Sequence, residues 1–325
     1  MKDFSEKLEK LSFFVGSTPV VRIFYTLGDK KSFILAKYEA WNLTGSIKDR
    51  MALQILSSAY NTGNFQPGNT IVEATSGNTG ISFAAMGAFL GSPVEIYMPS
   101  WLSNERKRLL RFYGAKLHEI SEKDGGFLKC IELAAKKSQK KGYFGPKQFE
   151  NTWNIMAHVS STAPELENTL KNNKIGDLDV FIAGMGTGGT IMGFYHYFSQ
   201  KIDDFRAYPI LPDKNEDGGH RIEGIGDSFI PKIVDLQALS PVLRVNDADA
   251  INIARQINKL GLSVGISSGA NVYGAIIKKI ELTSSKNVAT ILCDDNKKYL
   301  TTDLTSNTKE PLSREIKIDG FEIIS

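Results

Sequence analysis

Short apolar runs alternate with longer segments of helical spacing along most of this 325-residue chain. The apolar runs predict strands at residues 33–38, 70–74, 94–98, 116–120, 179–184, 208–211 and 288–292. The segments between them predict helices at residues 46–60, 79–90, 103–113, 126–141, 154–172, 247–260 and 270–282, with another helix beginning at Thr190. Strands that alternate with helices are typical of parallel sheets covered by helices, so the pattern predicts an α/β fold.

Two further segments bear on the domain organisation. The stretch Gly142-Tyr143-Phe144-Gly145-Pro146 interrupts the helical spacing and suggests a crossing between two domains, which a chain of this length can form. The tail after residue 303 is polar and mixed, with two short strand-like runs, Ile316-Lys317-Ile318 and Phe321-Glu322-Ile323. We expect this tail to be a loosely packed extension or a contact between subunits.

Four polar, glycine-bearing loops fall at the ends of predicted strands or at the starts of predicted helices. They are Asn42-Leu43-Thr44-Gly45-Ser46-Ile47-Lys48-Asp49-Arg50, Thr75-Ser76-Gly77-Asn78-Thr79-Gly80, Gly186-Thr187-Gly188-Gly189-Thr190 and Ser267-Ser268-Gly269. Open parallel sheets bind their ligands at the carboxyl ends of the strands. The four loops therefore contain the candidate binding residues.

Two of these loops suit anions. In Gly186–Thr190, glycines let backbone N–H groups approach an anion at a helix N-terminus, where the helix dipole favours negative charge. This loop has neither the lysine of a Walker loop nor the spacing of a dinucleotide loop, and a tight structural turn is the alternative. The loop Thr75–Gly80 can hold a carboxylate on its amides and hydroxyls, although an ordinary helix cap uses the same residue types.

Lys48 lies just inside a predicted helix start, behind the first loop. By itself, a lysine in this position is most often solvated or paired with a carboxylate. Together with three loops that can bind an anion or a ring, it is what an enzyme needs to hold pyridoxal phosphate as a Schiff base.

The ordered motifs resemble the cysteine synthase (O-acetylserine sulfhydrylase) and cystathionine β-synthase group of fold-type-II pyridoxal-phosphate enzymes. The resemblance covers roughly residues 10 to 302. Besides the four loops, it is carried by Gly16-Ser17-Thr18-Pro19-Val20-Val21-Arg22, Ser103-Asn104-Glu105-Arg106, Gln148-Phe149-Glu150-Asn151, Glu223-Gly224-Ile225-Gly226 and Gly265-Ile266.

The resemblance implies a role for each candidate residue. Lys48 is implied to be the Schiff-base lysine and, once released, the base that removes the Cα proton. The residues implied to bind the cofactor are Asn78 at the phenolic oxygen, Ser267 at the pyridine nitrogen, and Gly186, Thr187, Gly188, Gly189 and Thr190 at the phosphate. Those implied to bind the substrate are Thr75, Ser76, Thr79 and Gln148, which meet its α-carboxylate, together with Asn78.

The resemblance also implies a domain organisation like that of the tryptophan synthase β-subunit, with two α/β domains that each contain a twisted, mostly parallel sheet. The smaller domain covers residues 40–147 and carries the carboxylate loop. The larger covers residues 1–39 and 148–302 and carries the phosphate loop, and residues 303–325 form a C-terminal extension.

The implied reaction is β-elimination from L-cysteine or an O-activated L-serine to an aminoacrylate, followed by addition of a nucleophile. Sulfide is the substrate or the product, and cystathionine or lanthionine formation is a further variant. A serine at the pyridine nitrogen makes the ring a weaker electron sink than a carboxylate would, which favours prompt loss of a β-substituent. The alternative from a different class is a non-catalytic interaction protein of the same fold.

Asp227 follows Glu223–Gly226, where many cysteine synthases have a small residue. It can be a surface or helix-capping aspartate without a chemical role. Close to the aminoacrylate, however, it would repel hydrosulfide and could deprotonate water as a catalytic base. This second interpretation predicts a dedicated enzyme that converts L-cysteine to L-serine and hydrogen sulfide.

Composition narrows the choice of partners and compartment. A formal net charge of +3 gives no case for nucleic-acid binding, and no apolar run is long enough to span a membrane. The charged N-terminus lacks the apolar core of a signal peptide. The two cysteines and four histidines have no shared metal-ligand spacing, so we expect no metal. We therefore expect a cytoplasmic enzyme that acts on a small amino acid, and the resemblance implies a homodimer.

Overall fold

The computed structural model describes residues 2–213, 219–226, 229–282, 286–306, 308 and 310–324, with side chains from Phe4 onward. Its helices are α1 (Lys2–Ser12), α2 (Lys48–Asn61), α3 (Asn78–Leu90), α4 (Asn104–Phe112), α5 (Gly126–Ser138), α6 (Trp153–Ala157), α7 (Ala163–Asn172), α8 (Gly189–Phe198), α9 (Asp247–Lys259) and α10 (Ile266–Glu281). Its strands are β1 (Val20–Leu27), β2 (Lys30–Tyr38), β3 (Thr70–Ala74), β4 (Val94–Pro99), β5 (Lys116–Ile120), β6 (Tyr143–Phe144), β7 (Val180–Gly184), β8 (Arg206–Pro212), β9 (Leu243–Val245), β10 (Val288–Leu292) and β11 (Ile316–Ile324). Within these residues, no helix has the length and apolar character that crossing a membrane requires.

The predicted α/β class, with parallel-rich sheets flanked by helices, is confirmed. The chain divides into two compact units, and the first contains Met1–Gly16 and Asn42–Asn154. Its strands lie in the order β5-β4-β3-β6 and every pairing is parallel. Parallel neighbours need crossover connections, which α3, α4 and α5 supply. The core of this unit includes Met51, Ile55, Ile71, Phe83 and Ile96.

The second unit contains Ser17–Trp41 and Ile155–Ser325. Its seven strands lie in the order β11-β1-β2-β10-β7-β8-β9. The pairings from β2 to β9 are parallel, whereas β1 is antiparallel to both of its neighbours. The carboxyl ends of β7, β8 and β10 therefore lie at one edge of the sheet, where a parallel sheet places its ligands.

The N-terminal segment up to Gly16 packs in the first unit, whereas the larger domain was predicted to include all of residues 1–39; residues 17–39 do lie in the larger unit. No element is predicted here, although Phe4, Leu8 and Leu11 recur at helical spacing in α1. All three side chains are buried in the core of the first unit. Burial of this apolar stripe explains why the segment packs in the unit that contains α2 and α3 and not in the unit that contains β1.

The stretch 142–146 is also corrected, because it does not cross between the units. Residues Tyr143–Phe144 form β6, which pairs with β3 at Thr70 and Ile71. This pairing satisfies the backbone groups of the stretch inside the first sheet. The chain leaves the first unit after Asn154 instead.

The last part of the C-terminal tail, Ile316–Ile324, is an edge strand and not a loosely packed extension. β11 pairs with β1 from Val20↔Ile324 to Leu27↔Ile316, with a register irregularity between Phe24 and Tyr25. Ile316 and Ile318 are buried in the core of the second unit. The two short runs of the sequence are thus one strand that completes the sheet.

The helix predicted over 154–172 is divided into α6, a π-helical turn at His158–Thr162, and α7. Pro164 lies in the first turn of α7, where its missing N–H leaves no helical hydrogen bond unmade. The break therefore falls before the proline, in a type of turn that is frequent at functional sites.

Candidate active site

The loop in front of Lys48 is fixed by a carboxylate of the helix that follows. Asp49 accepts hydrogen bonds from the amide of Thr44 at 2.7 Å and from its hydroxyl at 2.6 Å. Gly45 has a φ of 77°, which glycine adopts without strain, so the chain can reverse at this point. α2 then begins at Lys48, whose side chain is half-buried. The lysine is therefore placed by a rigid turn at a helix N-terminus.

The candidate carboxylate ligands lie at the carboxyl end of β3 and the start of α3. β3 ends at Ala74 and α3 begins at Asn78. The backbone amides in the first turn of α3 have no acceptor within the helix. Gly77 joins the two with a φ of 155°, and a Cβ there would lie 2.5 Å from Cδ of Arg106. This turn therefore requires glycine. We call Thr75, Ser76, Asn78, Thr79 and Gln148 the first-unit cluster.

Gln148 joins this cluster through both its side chain and its backbone. Its Nε2 donates to the carbonyl of Ala74 at 2.7 Å, and its Oε1 accepts from the hydroxyl of Thr79 at 2.6 Å. Its backbone N–H donates to Oε2 of Glu73 at 3.1 Å. The side-chain amide is thus held against the turn that begins α3.

The loop before Lys48 contacts α3, the helix that begins in the first-unit cluster. Oγ1 of Thr44 lies 3.5 Å from Oγ of Ser82, which donates to the carbonyl of Asn78 at 3.0 Å. The structure therefore brings the loop before Lys48 to the first turns of α3, beside the first-unit cluster.

Glu73 is a buried carboxyl next to the first-unit cluster that is missing from the sequence-based candidates. Its Oε1 accepts from the N–H of Ala74 at 2.8 Å. Burial raises the pKa of Glu73 to about 7, and the Glu150 carboxylate adds to the rise, while backbone N–H groups oppose it. Glu73 therefore changes charge near neutral pH. The sequence does carry a signal, since one acidic residue interrupts the apolar run just before Thr75.

Substitution of Glu73 should change how stability depends on pH. Because the folded-state pKa of about 7 exceeds the ordinary 4.5, the folded protein binds more protons than the unfolded chain between these values. The stability present below this window is lost as the pH rises through it. We expect Glu73→Gln to remove roughly 3 kcal/mol of that loss. The measurement is the difference in unfolding free energy between variant and parent at about pH 5 and about pH 8, and equal differences would contradict it.

The glycine-rich loop Gly186–Thr190 connects β7 to α8. Gly188, with a φ of 84°, caps the helix. A Cβ on Gly186 would lie 2.2 Å from the carbonyl oxygen of Gly224, and one on Gly188 would lie 2.0 Å from Cγ2 of Val234. Only glycine fits at these positions, and the amides at the start of α8 are suited to meet an anion.

Ser267 lies in the first turn of α10, which corrects the prediction that Ser267–Gly269 is a loop before the helix. Close packing explains the glycine of this motif, because a Cβ on Gly269 would lie 2.0 Å from the carbonyl oxygen of Ala250 in α9. Ser267 itself is buried. Its hydroxyl is thus placed by a helix terminus and not by a flexible loop.

Asn271 joins α10 to the strand that precedes the glycine-rich loop. Its Oδ1 accepts from the N–H of Gly184 at 2.7 Å, and its Nδ2 donates to the carbonyl of Ile291 at 2.8 Å. The end of β7, the end of β10 and the start of α10 are therefore fixed together. We call Gly186–Thr190 and Ser267 the second-unit cluster.

His158 is a further residue that sequence reasoning leaves without a role. It is buried in the π-helical turn, with Nε2 3.3 Å from Oγ1 of Thr190 and Nδ1 2.9 Å from Oγ1 of Thr162. A Cβ on Gly193 would lie 2.5 Å from Cβ of His158, so α8 packs directly on this turn. His158 thus supports the last residue of the glycine-rich loop.

Asp227 lies outside the described residues. The segment that leads to it, 221–226, is anchored by the guanidinium of Arg221. This group donates to carboxylate oxygens of Asp247 at 3.2 Å, Asp303 at 2.8 Å and Glu310 at 2.7 and 2.5 Å. The tail that contains Asp303 and Glu310 therefore helps to fix the segment before Asp227.

Comparison with known proteins places the chain in a family. Residues 11–294 match the family described as pyridoxal-phosphate dependent enzyme. The cysteine synthase B of Campylobacter jejuni is 38% identical over 308 residues, covering 91% of this chain and 98% of the relative. The cysteine synthase of Staphylococcus aureus is 35% identical over 306 residues, covering 92% of this chain and 97% of the relative.

A solved structure matches an even larger share of the chain. The hydrogen sulfide-producing enzyme (Fn1055) from Fusobacterium nucleatum is 41% identical, with a TM-score of 0.92 and coverage of 98% of this chain and 99% of that chain. A lysine-dimethylated Asp-to-Asn variant of that enzyme, in complex with an α-aminoacrylate intermediate, has a TM-score of 0.93. This chain belongs to the pyridoxal-phosphate-dependent enzymes, in the group that contains the cysteine synthases.

Proposed function

We propose that this member of the cysteine synthase group degrades L-cysteine, adding water so that L-serine and hydrogen sulfide are formed. The observation that carries the proposal is the similarity to the hydrogen sulfide-producing enzyme, at 41% identity over 98% of this chain. A match of that extent includes most of the 303–325 tail, whereas the cysteine synthases cover 91–92% of the chain. The overall reaction breaks the Cβ–S bond of cysteine, forms a Cβ–O bond from water, and balances as L-serine plus hydrogen sulfide.

The two clusters fit pyridoxal phosphate. The glycine-rich loop has no room for side chains at Gly186 and Gly188, as a backbone phosphate cradle requires. Next to Lys48, the Ser46 hydroxyl is fully buried and has no hydrogen-bond partner within the described part of the chain. When bound, the cofactor supplies the electron sink that lets Cα lose its proton and the β-substituent leave.

The first-unit cluster would bind and orient the substrate. The amides at the start of α3 and the hydroxyls of Thr75, Ser76 and Thr79 offer donors to an α-carboxylate. The side chain of Gln148 is already oriented by Ala74 and Thr79. Lys48 would hold the cofactor covalently and then, as the free amine, remove the proton from Cα.

The second-unit cluster would hold the cofactor at its phosphate and ring nitrogen. Gly186, Thr187, Gly188, Gly189 and Thr190 would donate N–H and hydroxyl groups to the phosphate, with His158 supporting Thr190. The hydroxyl of Ser267 would face the pyridine nitrogen, and Asn78 would donate to the phenolic oxygen. In this proposal the smaller domain carries the loop that binds the substrate carboxylate, and the larger domain carries the loop that binds the cofactor phosphate.

Substitution of Gly186 should weaken cofactor binding. In Gly186→Ala the new methyl group would lie 2.2 Å from a backbone oxygen, so the loop must move. Because each charge-assisted hydrogen bond to the phosphate is worth about 1.5–3 kcal/mol, we expect at least roughly tenfold weaker binding of pyridoxal phosphate. Equilibrium dialysis with absorbance detection measures it. Gly320→Ala is the control, because Gly320 has no neighbour within 4 Å of the added Cβ, and equal affinities would contradict the assignment.

Asp227 is the proposed base that activates water. In the related enzyme, an Asp-to-Asn variant has been solved with an α-aminoacrylate intermediate. That observation supports an aspartate acting after this species forms in the relative, and we extend it to Asp227. The carboxylate would accept a proton from water as the Cβ–O bond forms, and its charge would disfavour return of hydrosulfide.

The second candidate is cysteine synthesis from an O-activated L-serine and sulfide, favoured by the 38% identity to cysteine synthase B. Formation of cystathionine or lanthionine, by addition of a thiol instead of water, is a third outcome that the same residues permit. A homodimer and a cytoplasmic location also belong to the proposal and are carried over from the family resemblance.

Product analysis distinguishes these activities. The holoenzyme is incubated with L-cysteine alone and, separately, with O-acetyl-L-serine and sulfide. We expect sulfide and L-serine in equal amounts from L-cysteine, faster than L-cysteine is formed in the second reaction. Faster formation of L-cysteine, or lanthionine as the main product of the first reaction, would overturn the proposal.

A further inference from the structure

Glu73 connects the end of β3 to the segment that carries Gln148. It is 4% exposed and accepts from the backbone N–H groups of Ala74 and Gln148 at 2.8 and 3.1 Å. The carbonyl of Gln148 in turn accepts from Nδ2 of Asn154 at 2.9 Å. Each polar group of Gln148 therefore has a partner, and because a side-chain amide has two N–H donors, the second can meet a ligand.

The surroundings of Glu73 do little to compensate a negative charge. Among the described residues, the main elements packed against β3 are β4, β6, α3 and α5. β6 and α3 contain no charged residue. The charged residue of β4, Glu95, lies opposite Val72, on the face of β3 turned away from Glu73, and is bound by His118 at 2.9 Å. α5 packs on that other face as well, and its charged residues are Lys129, Glu132, Lys136 and Lys137.

The segment of Gln148 carries a charged residue on either side of the glutamine. Lys147 and Glu150 are both exposed there. The carboxylate of Glu150 favours the protonated form of Glu73 and so raises its pKa. Glu73 is thus a buried carboxyl that accepts hydrogen bonds from backbone amides and is repelled by the charge of Glu150.

A substrate carboxylate bound at the first-unit cluster would place a second negative charge on the same glutamine. Two carboxylates that share a site disfavour each other's ionised forms. Binding of the substrate and protonation of Glu73 are therefore linked, and each must favour the other. Glu73 would not touch the substrate but would act through Gln148.

We propose that Glu73 is a positioning residue that couples proton uptake to substrate binding. In its protonated form it holds Gln148 without opposing the substrate carboxylate. In its ionised form it holds Gln148 but repels that carboxylate. This inference rests on the proposed role of Gln148 as a carboxylate ligand.

Calorimetric titration of the pyridoxal-phosphate-loaded enzyme with L-alanine tests the coupling, because L-alanine has the α-carboxylate but no leaving group. Between about pH 6 and about pH 8.5, the Kd of the parent should rise about tenfold relative to that of Glu73→Gln. The binding heat of the parent near neutral pH should depend on the ionisation enthalpy of the buffer, which reports proton uptake, and that of the variant should depend on it less. Titration of the L-alanine amino group affects both proteins equally, so the comparison isolates Glu73.

A second pair of variants tests the same point without altering the buried network. Glu150→Gln removes the repelling charge and should move the midpoint of the Kd rise to lower pH. Glu122→Gln removes an exposed charge of the turn before α5 and should leave the midpoint unchanged.

Equal pH dependence of Kd in the parent and Glu73→Gln would overturn the proposal, as would a parent that does not bind L-alanine. If Glu73→Gln fails to fold, an unchanged midpoint in Glu150→Gln overturns it instead. Failure of the proposed function is distinguishable, because it would appear as missing sulfide release while L-alanine binding stays intact.

Discussion

Lys48→Ala is expected to abolish covalent attachment of the cofactor and to lower sulfide release from L-cysteine by a factor of about 10³ or more. The proposed roles make the effect large, because one side chain would both anchor the cofactor and move the Cα proton. The rigid turn formed by Thr44 and Asp49 places this amine at the start of α2. The absorbance band of the covalently bound cofactor and the initial rate of sulfide release measure the two effects.

A matched variant separates this role from a general effect of losing a lysine. Lys123 is an exposed lysine of the same unit, in the turn before α5. Lys123→Ala should keep the absorbance band and the rate of the parent. A Lys48→Ala protein that retains either the band or a rate near that of the parent would contradict the assignment.

Asp227→Asn is expected to lower sulfide release from L-cysteine alone by a factor of about 10², since asparagine keeps the size of the side chain but cannot accept a proton from water. Addition of a thiol should restore turnover in this variant, because a thiolate needs no activated water. The measurement is the rate of sulfide release with and without added 2-mercaptoethanol.

The control for this prediction is Asp235→Asn. Asp235 is an exposed carboxylate of the second unit, which accepts from the backbone N–H of Gln237. This variant should release sulfide at the rate of the parent. If Asp227→Asn also releases sulfide at the rate of the parent, Asp227 has no part in water activation. Other residues must then determine whether the enzyme degrades or makes L-cysteine.

Four parallel strands, β3, β4, β7 and β10, and the loops that follow them are predictable because each is a local pattern. β3, β4, β7 and β10 are short apolar runs, and their ends are marked by proline, glycine or polar residues. The turns at Thr75–Gly80 and Gly186–Thr190 interrupt that pattern with several consecutive small residues. Lys48 becomes a candidate only in combination with these turns, since a lysine at a helix start is common by itself.

The supporting residues are harder to predict because their contacts are distant in sequence. Glu73 meets Gln148 across 75 positions, and His158 meets Thr190 across 32. Neither contact has a spacing that a single sequence reveals. An acidic residue in an apolar strand is nevertheless a usable signal, because burial of a carboxyl without a counter-charge is costly and needs a reason.

The edge strand β11 is not predicted from the sequence, again because its partner lies far away along the chain. β11 pairs with β1 across about the whole length of the chain, as the ion pair between Arg22 and Glu322 shows. Its two short runs are separated by Asp319 and Gly320, which hides the strand. The apolar spacing of α1 can be read from the sequence. Its burial in the core of the first unit cannot, because it depends on tertiary packing.

Incubation of the holoenzyme with L-cysteine in ¹⁸O-labelled water, with both products followed by mass spectrometry and sulfide detection, tests the proposed addition of water. Water addition predicts one L-serine with the label in its hydroxyl group for each sulfide released. Pyruvate and ammonia in place of labelled L-serine, or lanthionine as the main product, would contradict it.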